Sequence, residues 1–233
     1  MSTAHPLDRP AWSALTSRQA SLSLGDGRAL RFDPDYAAFA AAADLSMDSQ
    51  AALTGLIGEG RVFLMEAGED PAPTPPGAEQ VLTADCVQMT ADALTPGGAA
   101  GFDILDLADA DGPEMLALAT LTEPGPFFAR THQLGDFVGV RQGGRLVAMA
   151  GERQKMEGFT EVSGVCTHPD WRGRGYARAL MRVVAGRILD RGETAFLHAY
   201  ASNTGAVALY ESLGFSVRTP MTLTVLARAD GQG

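Results

Sequence analysis

The sequence has little cysteine, almost no lysine and no excess of positive charge. Two cysteines, Cys86 and Cys166, stand among 233 residues. They are too few for a disulfide framework and lack the paired spacing of a zinc site, so a reducing, cytoplasmic setting is the simpler expectation. His132 and His198 are scattered, and no histidine pair has metal-ligand spacing, so no metal is expected. A net charge of −10 argues against a nucleic-acid binder or a partner of anionic membranes, which need clustered cations. There is no apolar run of about 18 residues to cross a bilayer. The first residues lack the basic-then-apolar pattern of a signal peptide. Lys155 is the single lysine beside 17 arginines, a bias that carries little mechanism.

What is present is ordinary in bulk and uneven in detail. At 45% hydrophobic and 20% charged, the chain can bury a sizeable core, and its length suits one large domain or two small ones. Residues 1–100 hold 5 Arg and 13 Asp/Glu, whereas residues 101–233 hold 13 Lys/Arg and 15 Asp/Glu. Within 165–191 the balance reverses: six arginines (172, 174, 178, 182, 187 and 191) face only Asp170 and Asp190. A basic stripe on an acidic protein suggests a small anionic ligand rather than a polyanion.

Two proline- and glycine-rich stretches break the chain, "EDPAPTPPGAEQ" (69–80) and "LTPGGAAG" (94–101), and the second is taken as a domain boundary. The N-terminal part, 1–100, reads as mixed α/β of unknown role. "DYAAFAAAA" (35–43) is alanine-rich and predicts a helix, "RVFLMEA" (61–67) a strand, and "EQVLTADCVQMTA" (79–91) a strand followed by something irregular. The part from 101 to 233 is more legible. Pro113 after Asp111 marks a helix start. "DFVGVRQGGRLVAMAGER" (136–153) reads as a hairpin turning at Gly143-Gly144. "GFTEVSGVCTHP" (158–169) is a strand. Ala177, Leu180, Met181, Val184 and Ile188 then recur at helical spacing up to Gly192. A strand (195–200), a helix ending at Gly214 and a last strand (221–228) follow.

Strand, loop and helix across 159–190 is an arrangement that binds phosphate. The first N–H groups of a helix lack intrahelical partners, and the helix dipole adds partial positive charge there. Gly173 and Gly175 permit close backbone approach and positive φ. Taken alone, "HPDWRGRGYA" (168–177) fits an exposed turn equally well. It is neither G-x-G-x-x-G nor a Walker loop.

"RGRGYA" (172–177) resembles (Q/R)-x-x-G-x-(G/A), the acetyl-CoA pyrophosphate motif of the GNAT N-acetyltransferase superfamily. "NTGAVALYESLGF" (203–215) resembles that superfamily's second signature, N-x-x-A-x-x-L-Y-x-x-x-G-F. One helix and one strand separate the two motifs, in family order. The likeness covers roughly 101–228 and is nearest to the C-terminal domain of glycine N-acyltransferases; residues 1–100 lie outside it. The resemblance implies an α/β (α+β) GNAT acyltransferase fold: a mixed, mostly antiparallel central sheet flanked by helices. The N-terminal region is then either a degenerate second copy of that fold or a cap over the acceptor.

By the same resemblance, the protein transfers an acetyl group from acetyl-CoA to a primary amine of a small molecule or amino acid, in a ternary complex without a metal. The alternative is a CoA-binding module without catalysis. The main chain of Arg172, Gly173, Arg174, Gly175, Tyr176, Ala177 and Arg178 would hold the pyrophosphate. That of Val165, Cys166 and Thr167 would pair with the pantetheine arm, and Asn203 would bond it from the next helix or serve as a helix cap. Gly164 independently marks a bulge or a close backbone approach inside a strand. Tyr210 would protonate the leaving thiolate or else be a core tyrosine. Glu161, partly buried with a raised pKa, would act as general base, unless water does so. Cys166 reads as a buried hydrophobe rather than a nucleophile, and His168 as a structural loop residue. Phe127, Phe128 and Arg130 would shape the acceptor pocket, with Arg130 able to grip a carboxylate. The expected partner is a small-molecule amine, with neither nucleic acid nor membrane, in a monomer or a homodimer.

Overall fold

A computed structural model describes residues 5–229 of the chain. A helix α1 (Pro10–Leu15) precedes a small antiparallel sheet of β1 (Ser23–Asp26), β2 (Ala29–Phe32) and β3 (Ala40–Ala42). Helix α2 (Met47–Ile57) and strands β4 (Arg61–Ala67), β5 (Ala78–Ala91) and β6 (Leu105–Leu107) follow. Then come α3 (Gly112–Thr122), β7 (Phe137–Gln142), β8 (Arg145–Met156) and β9 (Phe159–Thr167). The chain closes with α4 (Tyr176–Asp190), β10 (Thr194–Tyr200), α5 (Thr204–Leu213) and β11 (Ser216–Arg228).

Eight strands form one sheet in the order β4-β11-β5-β10-β9-β8-β7-β6. Every neighbouring pair is antiparallel except β9 and β10, which run parallel. The β7–β8 turn falls at Gly143 and Gly144, with φ of 57° and 84°, the left-handed pair that a tight hairpin of this hand needs. Both faces of the sheet are covered. On one, Leu180, Met181, Val184 and Ile188 of α4 pack against Val138, Val147 and Leu197. On the other, α1 and Phe32, Phe39 and Met65 pack against Met156, Phe196 and Leu223. Neighbours Phe196 and Leu197 serve opposite cores, as the two-residue strand period dictates.

The expected boundary at 94–101 falls in a connection between two strands of one sheet. β5 lies between β10 and β11 and is paired with both, so residues 61–91 complete the sheet that 105–228 begins. The expected helix at 35–43 is replaced by the strand β3. Ala37 to Ala42 are buried on all sides, with no exposed stripe for a helix to present. The backbone there finds partners across strands instead: Phe32 N–H donates to Phe39 O at 2.9 Å and Phe63 N–H to Ala38 O at 2.9 Å. Alanine's helix preference is a weak prior beside such pairing. The helix of this region is α2, whose Ser46 Oγ accepts from Ser49 N–H at 3.3 Å. β5 runs unbroken for 14 residues, with no irregular second half.

Charged residues inside the fold are matched. The carboxylate of Glu152, 1% exposed, receives Lys155 Nζ at 2.7 Å and Arg191 Nη2 at 2.7 Å. Buried carboxylates persist only when paired in this way.

Leu180, fully buried between α4 and the sheet, is one of the pieces that fix this helix. Leu180→Ala should cost about 2–5 kcal/mol of stability, read from the midpoint and slope of a urea unfolding curve.

Candidate active site

The parallel pairing of β9 with β10 covers three residue pairs, Thr194–Phe196 against Phe159–Glu161. Past Glu161, β9 stays with β8 alone, while Leu197–Tyr200 pair with Met89–Cys86 of β5. A wedge therefore opens between the two central strands. Gly164 contributes to it. Met149 faces Cys166 and Gly151 faces Ser163, so β9 carries one extra residue there, the bulge expected at Gly164. Its φ is +63°, and a Cβ on it would meet the Phe137 ring at 2.9 Å, so only glycine fits.

One side of the wedge leads to the start of α4. Among the described residues, no acceptor meets the backbone N–H groups of Gly173 to Arg178. Gly173 and Gly175 have φ of +77° and +79°, and a Cβ on either would enter open space. Bare amides, left-handed glycines and a helix dipole in one concavity make an anion site. All the residues expected to hold CoA border this cleft: Val165, Cys166, Thr167, Arg172 to Arg178 and Asn203. Several offer only their main chain. The Cys166 side chain is buried against Met115 and Met149. The Tyr176 ring is buried edge-on to Phe102, with centroids 4.7 Å apart. Arg174 stacks on Trp171 at 4.4 Å, which directs that guanidinium to the loop's own indole. Asn203 caps α5, its Oδ1 accepting from Ala206 N–H at 3.1 Å, while it still borders the cleft. His168 is structural, accepting from Asp170 N–H at 3.3 Å.

The other side of the wedge is a chamber that adjoins the cleft and shares Pro124, Val165, Asn203 and Ala206 with it as common wall. Phe39, Phe63, Met65 and Leu223 supply apolar wall, and Arg153, Glu161, His198 and Tyr210 supply polar groups. Burial pushes the Tyr210 phenol upward, so it keeps its proton at neutral pH. Burial likewise lifts the Cys166 thiol to about 11, which removes it as a nucleophile.

Glu161 departs from expectation. Burial alone would raise its pKa, but the Arg153 guanidinium and His198 outweigh that and hold the carboxyl at about 2. Arg153 grips it bidentately, Nε to Oε2 at 2.9 Å and Nη2 to Oε1 at 2.8 Å. His198 Nδ1 meets Oε1 at 2.9 Å, and Gln154 N–H donates to Oε2 at 3.3 Å. With two donors on each oxygen, Glu161 has little capacity left for a substrate proton. Behind it the polar chain continues. Gln88 Nε2 lies 3.0 Å from His198 Nε2 and donates to Leu7 O at 2.9 Å. Arg218 Nε donates to Gln88 Oε1, and its Nη2 reaches Asp8 at 2.7 Å. With Gln88 donating to Nε2, the His198 proton sits on Nδ1, facing Glu161.

The segment 123–135 contributes Pro124, Gly125 and Pro126 to the chamber, not the side chains expected. Phe127 packs on Phe137, with centroids 5.9 Å apart, and Arg130 stacks on Tyr36 at 4.4 Å and bonds Gln133 at 3.0 Å. The arginine in the chamber is Arg153. Its place opposite Glu161 depends on a second register shift, between Glu152 and Lys155, which the hairpin count from Gly158 does not reveal. Phe39, Phe63 and Met65 come from the region where the sequence shows no chemistry. Among the described residues, no group of three or more His, Cys, Asp or Glu is arranged to hold a metal ion, and no helix is long and apolar enough to cross a membrane.

Residues 137–223 match the family model described as FR47-like protein. The bS18-alanine N-acetyltransferase of Escherichia coli K12, whose name gives a ribosomal protein as its substrate, is 35% identical over 79 residues. That match takes in 34% of this chain and 53% of the relative, so the chain spans about half the length of the curated relatives it matches. A GCN5-related N-acetyltransferase from Kribbella flavida shares the fold at a TM-score of 0.62 and 20% identity, over 94% of this chain and 93% of that one. The crystal structure of a GNAT-family protein from Novosphingobium aromaticivorans DSM 12444, assigned as an acetyltransferase, superposes at a TM-score of 0.87. At 45% identity it covers 97% of this chain and 100% of that one. With that likeness running the length of both chains, and the anion cleft and sheet wedge in the order its two sequence motifs imply, the chain belongs to the GNAT family of acetyltransferases.

Proposed function

We propose that the protein transfers an acetyl group from acetyl-CoA to the primary amine of a small molecule, by direct attack in a ternary complex. The observation that carries this reading is that the cleft at α4 and the chamber adjoin across the wedge, with Pro124, Val165, Asn203 and Ala206 in both walls. A pyrophosphate on the amides of Gly173 to Arg178 would lead the pantetheine arm along Val165 to Thr167, with Asn203 beside it. The thioester would then stand at the chamber mouth, near Tyr210. The finer likeness to glycine N-acyltransferase C-terminal domains rests on the same two motifs and stands with this proposal.

The chemistry then runs as follows. The amine nitrogen attacks the thioester carbonyl, the carbon–sulfur bond breaks, and Tyr210 gives its proton to the departing sulfur. A main-chain N–H beside the Gly164 bulge would meet the negative charge developing on the carbonyl oxygen. Water takes the proton released by the amine, because Glu161 is too acidic and too fully bonded for that work. Glu161 instead holds Arg153 and His198 in place. The acceptor is a small molecule in this reading, because Phe39, Phe63 and Met65 wall the chamber. The segment supplying these side chains lies outside residues 137–223, the FR47-like match.

Three outcomes test this reading. Gly175→Glu places negative charge in the open cleft and also strains the loop at its φ of +79°, so CoA affinity should fall by at least about 10²-fold, more than in an uncharged Gly175→Ala control that shares the strain, read by calorimetry with circular dichroism to check the fold. Unchanged affinity would remove the cradle. Tyr210→Phe should lower kcat on the order of 10²-fold and leave acetyl-CoA binding within a few-fold, read by thiol release. The same Tyr210→Phe rate as wild type at saturation would take Tyr210 out of the mechanism. Glu161 is anionic when folded down to about pH 2, against an ordinary carboxylate value of 4.5. Its contribution to stability is therefore complete above about pH 5 and lost as pH falls toward 2, amounting to roughly 3 kcal/mol. Glu161→Gln should flatten that part of the stability–pH curve; an unaltered acid limb would refute the ion-pair account.

A further inference from the structure

Arg153 is only partly used by the contacts described so far. Its Nε and Nη2 serve Glu161, and its guanidinium lies over the Phe39 ring at 4.6 Å. Among the described residues, Nη1 has no acceptor, although the side chain is only 10% exposed and borders the chamber. An arginine presents five donors in a rigid fork, and with two of its nitrogens committed to Glu161 the third stays open to the chamber that the residue borders. The free edge of this fork is therefore available to an oxygen acceptor that arrives with the ligand.

The surroundings narrow what that acceptor is. Arg153 and His198 are the basic side chains bordering the chamber, and Glu161 already neutralises much of the arginine's charge. A dianion such as a phosphate would lack countercharge beside the Glu161 carboxylate, whereas a single carboxylate matches one open guanidinium edge. The Arg153–Glu161 pair is itself a dipole, and a zwitterion with its carboxylate toward Arg153 is complementary to it. Phe39, Phe63, Met65 and Leu223 then leave an apolar remainder for the rest of the molecule.

We infer that the acceptor is a free α-amino acid with an apolar or aromatic side chain, whose carboxylate is bound by the unfilled edge of Arg153. This deepens the transfer reading above and rests on it for the reaction, though not for the binding. It also moves the carboxylate-recognition role from Arg130, a candidate the sequence offered, to Arg153 of β8.

The test compares three ligands that share one phenylethylamine frame on the protein saturated with CoA: L-phenylalanine, L-phenylalaninamide and 2-phenylethylamine. Calorimetric titration should show L-phenylalanine binding at least about tenfold more tightly than either analogue, the equivalent of one charge-assisted hydrogen bond. With acetyl-CoA, kcat/KM should follow the same order. Arg153→Lys keeps a cation for Glu161 but loses the fork; it should weaken L-phenylalanine by a similar factor and leave CoA affinity unchanged. If that variant does not fold, the ligand series on the unaltered protein still decides. Equal binding of the amide would indicate recognition of a peptide carbonyl and overturn the inference, as would equal binding of the decarboxylated amine or no binding of L-phenylalanine. Turnover of amines without carboxylate dependence would leave the transferase reading standing. Selective binding of L-phenylalanine with no turnover of any amine would instead remove the transferase reading and keep the site.

Discussion

The structure depends on a pairing that stops early. Two neighbouring parallel strands in the middle of a sheet would ordinarily stay bonded to their ends, because each unpaired buried amide is costly. Here β9 and β10 share only Thr194–Phe196 and Phe159–Glu161 before they part. Each strand keeps a different outer partner past that point, β8 for one and β5 for the other, so the split is supported from both sides. The gap lies at the centre of the molecule with one mouth at a helix start and the other at an apolar chamber. A binding crevice outside the carboxyl ends of central parallel strands is a general consequence of α/β architecture. In this chain a single bulged glycine, Gly164, adds to it.

That position explains why the N-terminal segment belongs to the site. The sheet is completed on the β10 side by β5, β11 and β4, and Phe39 is bridged to Phe63 of β4. Asp8 closes one end of a polar chain that reaches Glu161 through Arg218, Gln88 and His198. The chain's first 90 residues thus supply both strands of the common sheet and the far wall of the chamber. They are tied to the centre by hydrogen bonds as well as by apolar packing.

What the sequence disclosed follows the range of the interactions involved. The α4 loop, the β7–β8 hairpin, the α5 cap and the Gly164 bulge each depend on a few neighbouring residues, and glycine positions and helical spacing record them. The alanine run at 35–43 was misleading because its backbone partners lie on other strands. Alanine is equally content in any buried backbone of close approach. The Arg153–Glu161 pair was hidden by one residue. A regular hairpin from Met156 and Phe159 sets Gln154 against Glu161, and the register shift brings Arg153 there instead. The sign of the Glu161 shift followed from that same residue: without Arg153 in view, burial was the only influence to consider, and it acts in the opposite direction.

The single lysine has a chemical consequence of its own. Thioesters acylate unprotected amines without any catalyst, and ε-amino groups are the usual casualties on a protein that handles them. In this chain the one such group, on Lys155, is drawn onto Glu152 at 2.7 Å with its side chain 19% exposed. The arginines that carry the rest of the positive charge stay protonated at any physiological pH and are no nucleophiles. Its surface charge is therefore assembled almost wholly from groups that a reactive acyl donor leaves untouched.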